Sequence, residues 1–200
     1  MYRTLSRTLL LLGILALWAA CKPEPYTPKP RGYYHMQLPE HDYQTFEAPG
    51  YPYAFEYPTY ARIVKDTSFF GQRPENPYWI NVEFPSLNGA IYLSYKEIGP
   101  KYSLRHLLED AHEMSFFHDK RADYINDTVF HNTHNVVGLI YTVGGNAASA
   151  YQFFATDSVR HFLRGALYFD VSPNADSLKP VNEFLRQDME HLLGTLRWQY

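Results

Sequence analysis

The stretch His161-Phe162-Leu163-Arg164-Gly165-Ala166-Leu167-Tyr168-Phe169-Asp170 reads as a strand at the heart of a sheet. On an extended chain Leu163, Gly165, Leu167 and Phe169 share one face, and Phe162, Arg164, Ala166 and Tyr168 share the other. Both sets are largely apolar. A half-exposed strand alternates apolar with polar, whereas a strand covered on both faces does not. The stretch therefore predicts a central strand with cover on each side.

Downstream, the chain closes on a helix. Val181, Phe184, Leu185, Met189, Leu192, Leu193 and Leu196 form one broad apolar stripe. Asp176 or Ser177 can cap this helix, and Pro180 suits its first turn. Upstream lie three more strand signals, Tyr124 to Phe130, Val136 to Val143 and Ser149 to Thr156. Gly144-Gly145-Asn146 supplies the turn between the last two, and Asp157-Ser158 supplies the turn into the central strand. Before them Ser103 caps a helix whose Leu104, Leu107, Leu108, Ala111 and Met114 recur at three-and-four spacing. That helix is expected to end near His118-Asp119.

Earlier still, Tyr78 to Phe84 and Ala90 to Lys96 alternate. Ile80, Val82 and Phe84 align in the first, and Ile91, Leu93 and Tyr95 in the second. Asn88-Gly89 between them reads as a hairpin turn. Tyr53 to Tyr57 and Ala61 to Lys65 flank a turn at Pro58. Residues 31–50 read as an irregular aromatic lead-in. Strands, helix, strands, helix predict an α+β fold: an antiparallel β-sheet with two main helices packed on it as a sandwich. Element order and Phe55-Glu56-Tyr57-Pro58 are similar to the PsbP/Mog1-like fold.

The N-terminus carries a different kind of information. Arg3 and Arg7 precede an apolar run from Leu9 to Trp18, and Ala19-Ala20 stand before Cys21, the chain's one cysteine. That is the order of an export signal. A cysteine first after the cut is the acceptor of a bacterial lipoprotein's diacylglycerol, with palmitate-type acylation of its amine. The run is too short to span a bilayer, which needs about 20 apolar residues. Trp18 departs from the small aliphatic residue usual three positions before the cysteine. Four prolines from Pro23 to Pro30 then make a polyproline spacer of about 3 Å per residue. The expected domains are residues 1–20, a lipoprotein signal peptide; 21–32, the lipidated cysteine and Pro-rich tether; and 33–200, a single α+β domain.

Removing residues 1–20 takes the formal charge from −3 to −5, which argues against nucleic acid as a partner. With Cys21 acylated no thiol remains for a disulfide, a metal or nucleophilic chemistry. His106, His112 and His118 stand six apart, too far for one helix face. His131-Asn-Thr-His134 lies in a polar turn without further ligands. Asp110 and Glu113 read as a solvated helix face. No serine sits in a nucleophile elbow, and Gly144-Gly145 has neither the lysine nor the helix of a phosphate loop. No catalytic residue, metal or cofactor is expected. Asp127-Thr128-Val129, Asp157-Ser158-Val159 and Asp176-Ser177-Leu178 match a loose O-glycosylation triplet, with Thr128, Ser158 and Ser177 as acceptors.

Longer motifs carry a resemblance. Pro28-Lys-Pro-Arg-Gly-Tyr33, Leu38-Pro-Glu-His41 and Ala90-Ile-Tyr-Leu-Ser-Tyr95 are joined by Val143-Gly-Gly-Asn-Ala-Ala-Ser149, Phe153-Phe-Ala-Thr-Asp-Ser158 and His161 to Phe169. Pro173-Asn-Ala-Asp-Ser-Leu178 and Leu196-Arg-Trp198 complete them. In this order they resemble the gliding-motility lipoprotein GldD family of Bacteroidota. The resemblance implies a non-enzymatic lipoprotein required for gliding motility and type IX protein secretion. It implies partners among the other envelope proteins of that apparatus, and a lipid anchor at Cys21. A periplasm-facing position on the outer membrane is expected. The competing readings are an envelope hydrolase of peptidoglycan or glycan, and a glycan or small-ligand carrier. An interaction factor should expose an apolar-aromatic patch, expected from Tyr33 to Tyr60 or at Gly144-Gly145.

Overall fold

The computed structural model describes residues 37–67 and 73–199. All of them belong to one compact unit, residues 36–200, with its own core. The expected signal peptide, lipidated Cys21 and tether lie outside the described residues.

Among the described residues the order is β1 (Tyr43–Phe46), β2 (Tyr53–Pro58), β3 (Arg62–Lys65), β4 (Ile80–Phe84), β5 (Gly89–Glu97), α1 (Leu104–Phe116) and β6 (Ala122–His131). It continues with β7 (Val137–Gly145), β8 (Tyr151–Thr156), β9 (His161–Phe169), α2 (Ala175–Thr195) and β10 (Arg197–Trp198). Seven strands form one sheet in the order β3-β4-β5-β9-β8-β7-β6, antiparallel throughout. A small second sheet has the order β1-β2-β10.

The doubly apolar stretch is β9, the middle strand of the seven, and its first seven residues are buried. One face carries Leu163 and Leu167 into the main core. There they join Ile80, Val82, Ile91, Leu93 and Phe153, with Val181, Leu185, Met189 and Leu192 of α2 above them. Fully burying side chains of this size stabilises the fold by about 1.5–3 kcal/mol each, so α2 is held by its stripe. On the opposite face Phe162 packs with Phe154 and Tyr141 beneath Leu107 and Ala111 of α1. The predicted α+β sandwich is therefore present, with one helix on each face. Gly165 is required at the centre: a Cβ there would stand 2.2 Å from the Phe153 ring.

Several local expectations shift. The turn at Pro58 is present, its carbonyl accepting from the Ala61 N–H, but it joins two sheets rather than two paired strands. Pro58 ends β2 in the small sheet, and the chain crosses to β3 in the large one. The aromatic lead-in contains β1, which pairs Tyr43 with Pro58 through Phe46 with Phe55. Asn174 caps α2, its side chain accepting from the Ser177 N–H, so the helix starts earlier than expected and Pro180 falls inside it. Ser103 caps α1 as expected, accepting from the His106 N–H. That helix stops at Phe116 and tightens into a 3-10 turn to Arg121. Gly144 and Gly145 end β7 rather than form the turn, with the Tyr124 ring lying where a Gly144 Cβ would be.

Candidate interaction surface

The aromatic residues between Tyr43 and Tyr60 are spent on structure. Tyr53 and Phe55 are fully buried, and Phe46, Tyr51 and Tyr57 pack against the same core. Beside them lies a polar seam that the sequence reading missed. Asp188 of α2 is 1% exposed. Its Oδ1 accepts from the Tyr43 hydroxyl at 3.0 Å and faces His41 Nδ1 at 2.6 Å. Its Oδ2 accepts from the Tyr60 hydroxyl. Burial and then the carboxylate push the Tyr43 phenol up to about 12, and burial with the hydrogen bond to Asp188 raises Tyr60 further. Both hydroxyls therefore remain donors across the physiological range.

Around the seam, His41 stacks on Phe184 and Tyr43 stacks on His191, with ring centroids 4.3 Å and 3.6 Å apart. His191 Nε2 lies 2.7 Å from Glu56 Oε2. The arrangement clips β1 and β2 to α2. An Asp–His pair invites comparison with a hydrolytic triad, but His41 spends its face on Phe184 and Asp188 spends both oxygens on the clip. Its sequence signal was a carboxylate on the apolar stripe, four residues from Phe184 and from Leu192.

The main exposed feature is β6. It is the outer strand of the large sheet, ten residues long, and seven of them are exposed. Its inner edge pairs with β7, and among the described residues no strand pairs with its outer edge. Val129 is 75% exposed and faces Leu139 in register, with Val137 and Tyr124 also exposed on this hairpin. At Gly144, one of the two places where a patch was expected, the structure shows one aromatic residue, Tyr124, 52% exposed with its ring over the glycine. The other expected source was Tyr33 to Tyr60: its aromatics from Tyr43 onward are mostly core, and residues 33–36 lie outside the described residues.

The remaining sequence candidates are scattered. Thr128 is exposed on β6, Ser158 is exposed with a φ of 65°, and Ser177 is exposed in the first turn of α2. Asp157 holds its turn by accepting from the N–H groups of Val159, Arg160 and His161. Burial raises its carboxyl, but those donors outweigh it and hold the group below the usual aspartate value. His131 and His134 are exposed at the β6–β7 connection. His106 lies 3.5 Å from Asp110 on α1, while Glu113 is exposed on the same helix. Between His131 and His134, Asn132 donates through Nδ2 to the carbonyls of Leu193 and Leu196, closing the C-terminal end of α2.

A concavity lies beside the end of α1, with a volume of about 660 Å³. Arg164 of β9 forms part of its floor, and Met114 and Phe117 part of its wall. Arg164 was visible in the sequence as a charge inside a doubly apolar strand.

These features define a single-unit α+β sandwich with an open sheet edge, fixed by packing and by a buried polar clip. Residues 23–198 match the family model of the gliding motility lipoprotein GldD, and the chain belongs to that family. Among solved structures it is similar to the solution structure of cyanobacterial PsbP (CyanoP) from Synechocystis sp. PCC 6803. The identity is 13%, over 82% of this chain and 97% of that one, with a TM-score of 0.47. No curated protein sequence matches the chain. No helix among the described residues is long and apolar enough to cross a membrane.

Proposed function

We propose that this protein is a non-enzymatic, lipid-anchored interaction factor that serves gliding motility and type IX protein secretion in the cell envelope. Cys21 carries the acyl anchor, the Pro-rich tether holds the domain off the lipid, and the domain faces the periplasm from the outer membrane. Its partners are other envelope proteins of the same apparatus. Family membership motivates the motility assignment. The observation that carries the interaction role is the β6 edge, ten residues long and mostly exposed. Such an edge accepts an added strand from another chain through main-chain hydrogen bonds, and exposed Val129 supplies an apolar contact.

The test is a photo-crosslinking residue at position 129 of the full-length protein in its host, with position 171 as the exposed control. Recovery of a motility or secretion component from 129 and not from 171 is the expected result. Equal recovery from both, or none from either, contradicts the β6 assignment. Acyl labelling of wild type and Cys21→Ala tests the anchor separately.

A further inference from the structure

Among the described residues, Arg164 is a buried cation without a counter-charge. It is 9% exposed, on the middle strand of the sheet. Among the described residues no carboxylate lies within hydrogen-bonding reach of its guanidinium. Its guanidinium donates through one Nη to Gln152 Oε1 at 2.7 Å and also hydrogen-bonds the Tyr168 hydroxyl, both neutral acceptors, while its buried Nε meets no acceptor among the described residues. A guanidinium keeps its proton at any physiological pH. Burying one without an anion is costly, and folds normally pair it. Its site is therefore either a standing loss of stability or half of an ion pair.

The surroundings favour the second. Arg164 faces a concavity of about 660 Å³ beside the C-terminal end of α1. Met114 and Phe117 stand over it, 42% and 74% exposed. Large apolar side chains left open beside a buried charge suit a ligand that is apolar at one end and anionic at the other. His118 and Tyr168 complete the floor. Burial, and then Arg164, lower the His118 imidazole, so it stays neutral and can hydrogen-bond without adding charge. At the rim Asp110 and Glu113 repel polyanions, and Lys96 is already committed to Glu75 at 3.4 Å. One anionic group fits, and several do not.

We infer that this concavity is a binding site for a single carboxylate on an apolar body, the carboxylate pairing with Arg164 and the body lying against Met114 and Phe117. This goes beyond the β6 docking role and uses a different part of the molecule. A medium-chain free acid and an apolar peptide C-terminus share this chemistry.

The probes are octanoate against octanamide, and Leu-Leu-Phe against its C-terminal amide, titrated calorimetrically into mature protein left unacylated by Cys21→Ser. Wild type should bind the acid at least about 10-fold more tightly than the amide, the range of a charge-assisted hydrogen bond. Arg164→Gln should abolish that preference while circular dichroism shows the fold retained. Phe117→Ala changes an exposed residue and is insulated from folding failure. It should weaken acid binding several-fold yet keep the preference for acid over amide. Whichever acid binds identifies the source, and binding by either supports the site. Equal binding of acid and amide, no binding of any probe, or a folded Arg164→Gln that keeps the preference would overturn it.

Discussion

Replacing Asp188 by Ala tests the polar clip at its centre. Three groups lose their acceptor: the Tyr43 and Tyr60 hydroxyls and His41 Nδ1. A fully buried donor left without a partner costs about 1–3 kcal/mol. The Tyr43 and Tyr60 side chains are only partly buried, and His41 is 27% exposed, so each can recover part of that from water. About 1 kcal/mol apiece gives a loss of about 3 kcal/mol. For a chain of this size that lowers Tm by roughly 6–12 °C. Urea and thermal unfolding of the mature chain, left unacylated by Cys21→Ser, would measure it. A double-mutant cycle with Tyr60→Phe makes the test sharper. Tyr60→Phe removes one stranded donor, so the double variant should be more stable than the two single losses summed, by about 1 kcal/mol. A loss under about 1 kcal/mol with an additive cycle would show that the seam does not hold β1 to α2.

Other positions give independent checks. Gly165→Ala forces the Phe153 ring from the core, and overpacking of this kind costs about 1–3 kcal/mol; adding Phe153→Leu should return part of the lost Tm. Asn132→Asp keeps the acceptor for the β6–β7 loop but cannot donate to Leu193 and Leu196, and it places a charge at the negative end of α2. It should destabilise the fold by about 1–2 kcal/mol in urea unfolding. Burial lowers His161, which stacks on Trp198, so the unfolded chain takes up a proton near pH 6.5 that the folded chain resists. Stability should therefore fall as pH drops below about 6.5, and His161→Gln should flatten that slope between about pH 7 and 5. Asp157 acts in a lower window. Its depressed carboxyl supplies stability above about pH 4 that is lost as pH falls further, so Asp157→Ala should remove the steepest part of acid unfolding.

Periodicity made the large features legible. β9 showed itself through two apolar faces, α1 through the Ser103 cap and its stripe, and α2 through seven apolar residues that are all buried. What escaped depends on distant neighbours. β1 has only four residues and β10 two, and each exists because β2 lies between them. Neither carries an alternating pattern of its own. Met114 fits the α1 stripe by spacing but is 42% exposed, because the sheet beneath it opens into the concavity around Arg164. Asp188 and Arg164 were the two charges set into apolar patterns. Each marks a polar function that periodicity alone averages away: one closes a seam, the other floors a hollow. The Pro180 turn was misplaced because Asn174, two residues ahead of Asp176, offers the better cap.

We propose that the domain works by lending its β6 edge to another envelope protein. Replacing Val129 by Lys puts a charge on that edge at a position 75% exposed, where the fold itself should be indifferent. Introduced into the host in place of wild type, the variant should accumulate and be acylated normally, yet fail to restore surface spreading and export of secreted adhesins. Full restoration of both by a folded, acylated Val129→Lys protein would show that the β6 edge is not the working surface.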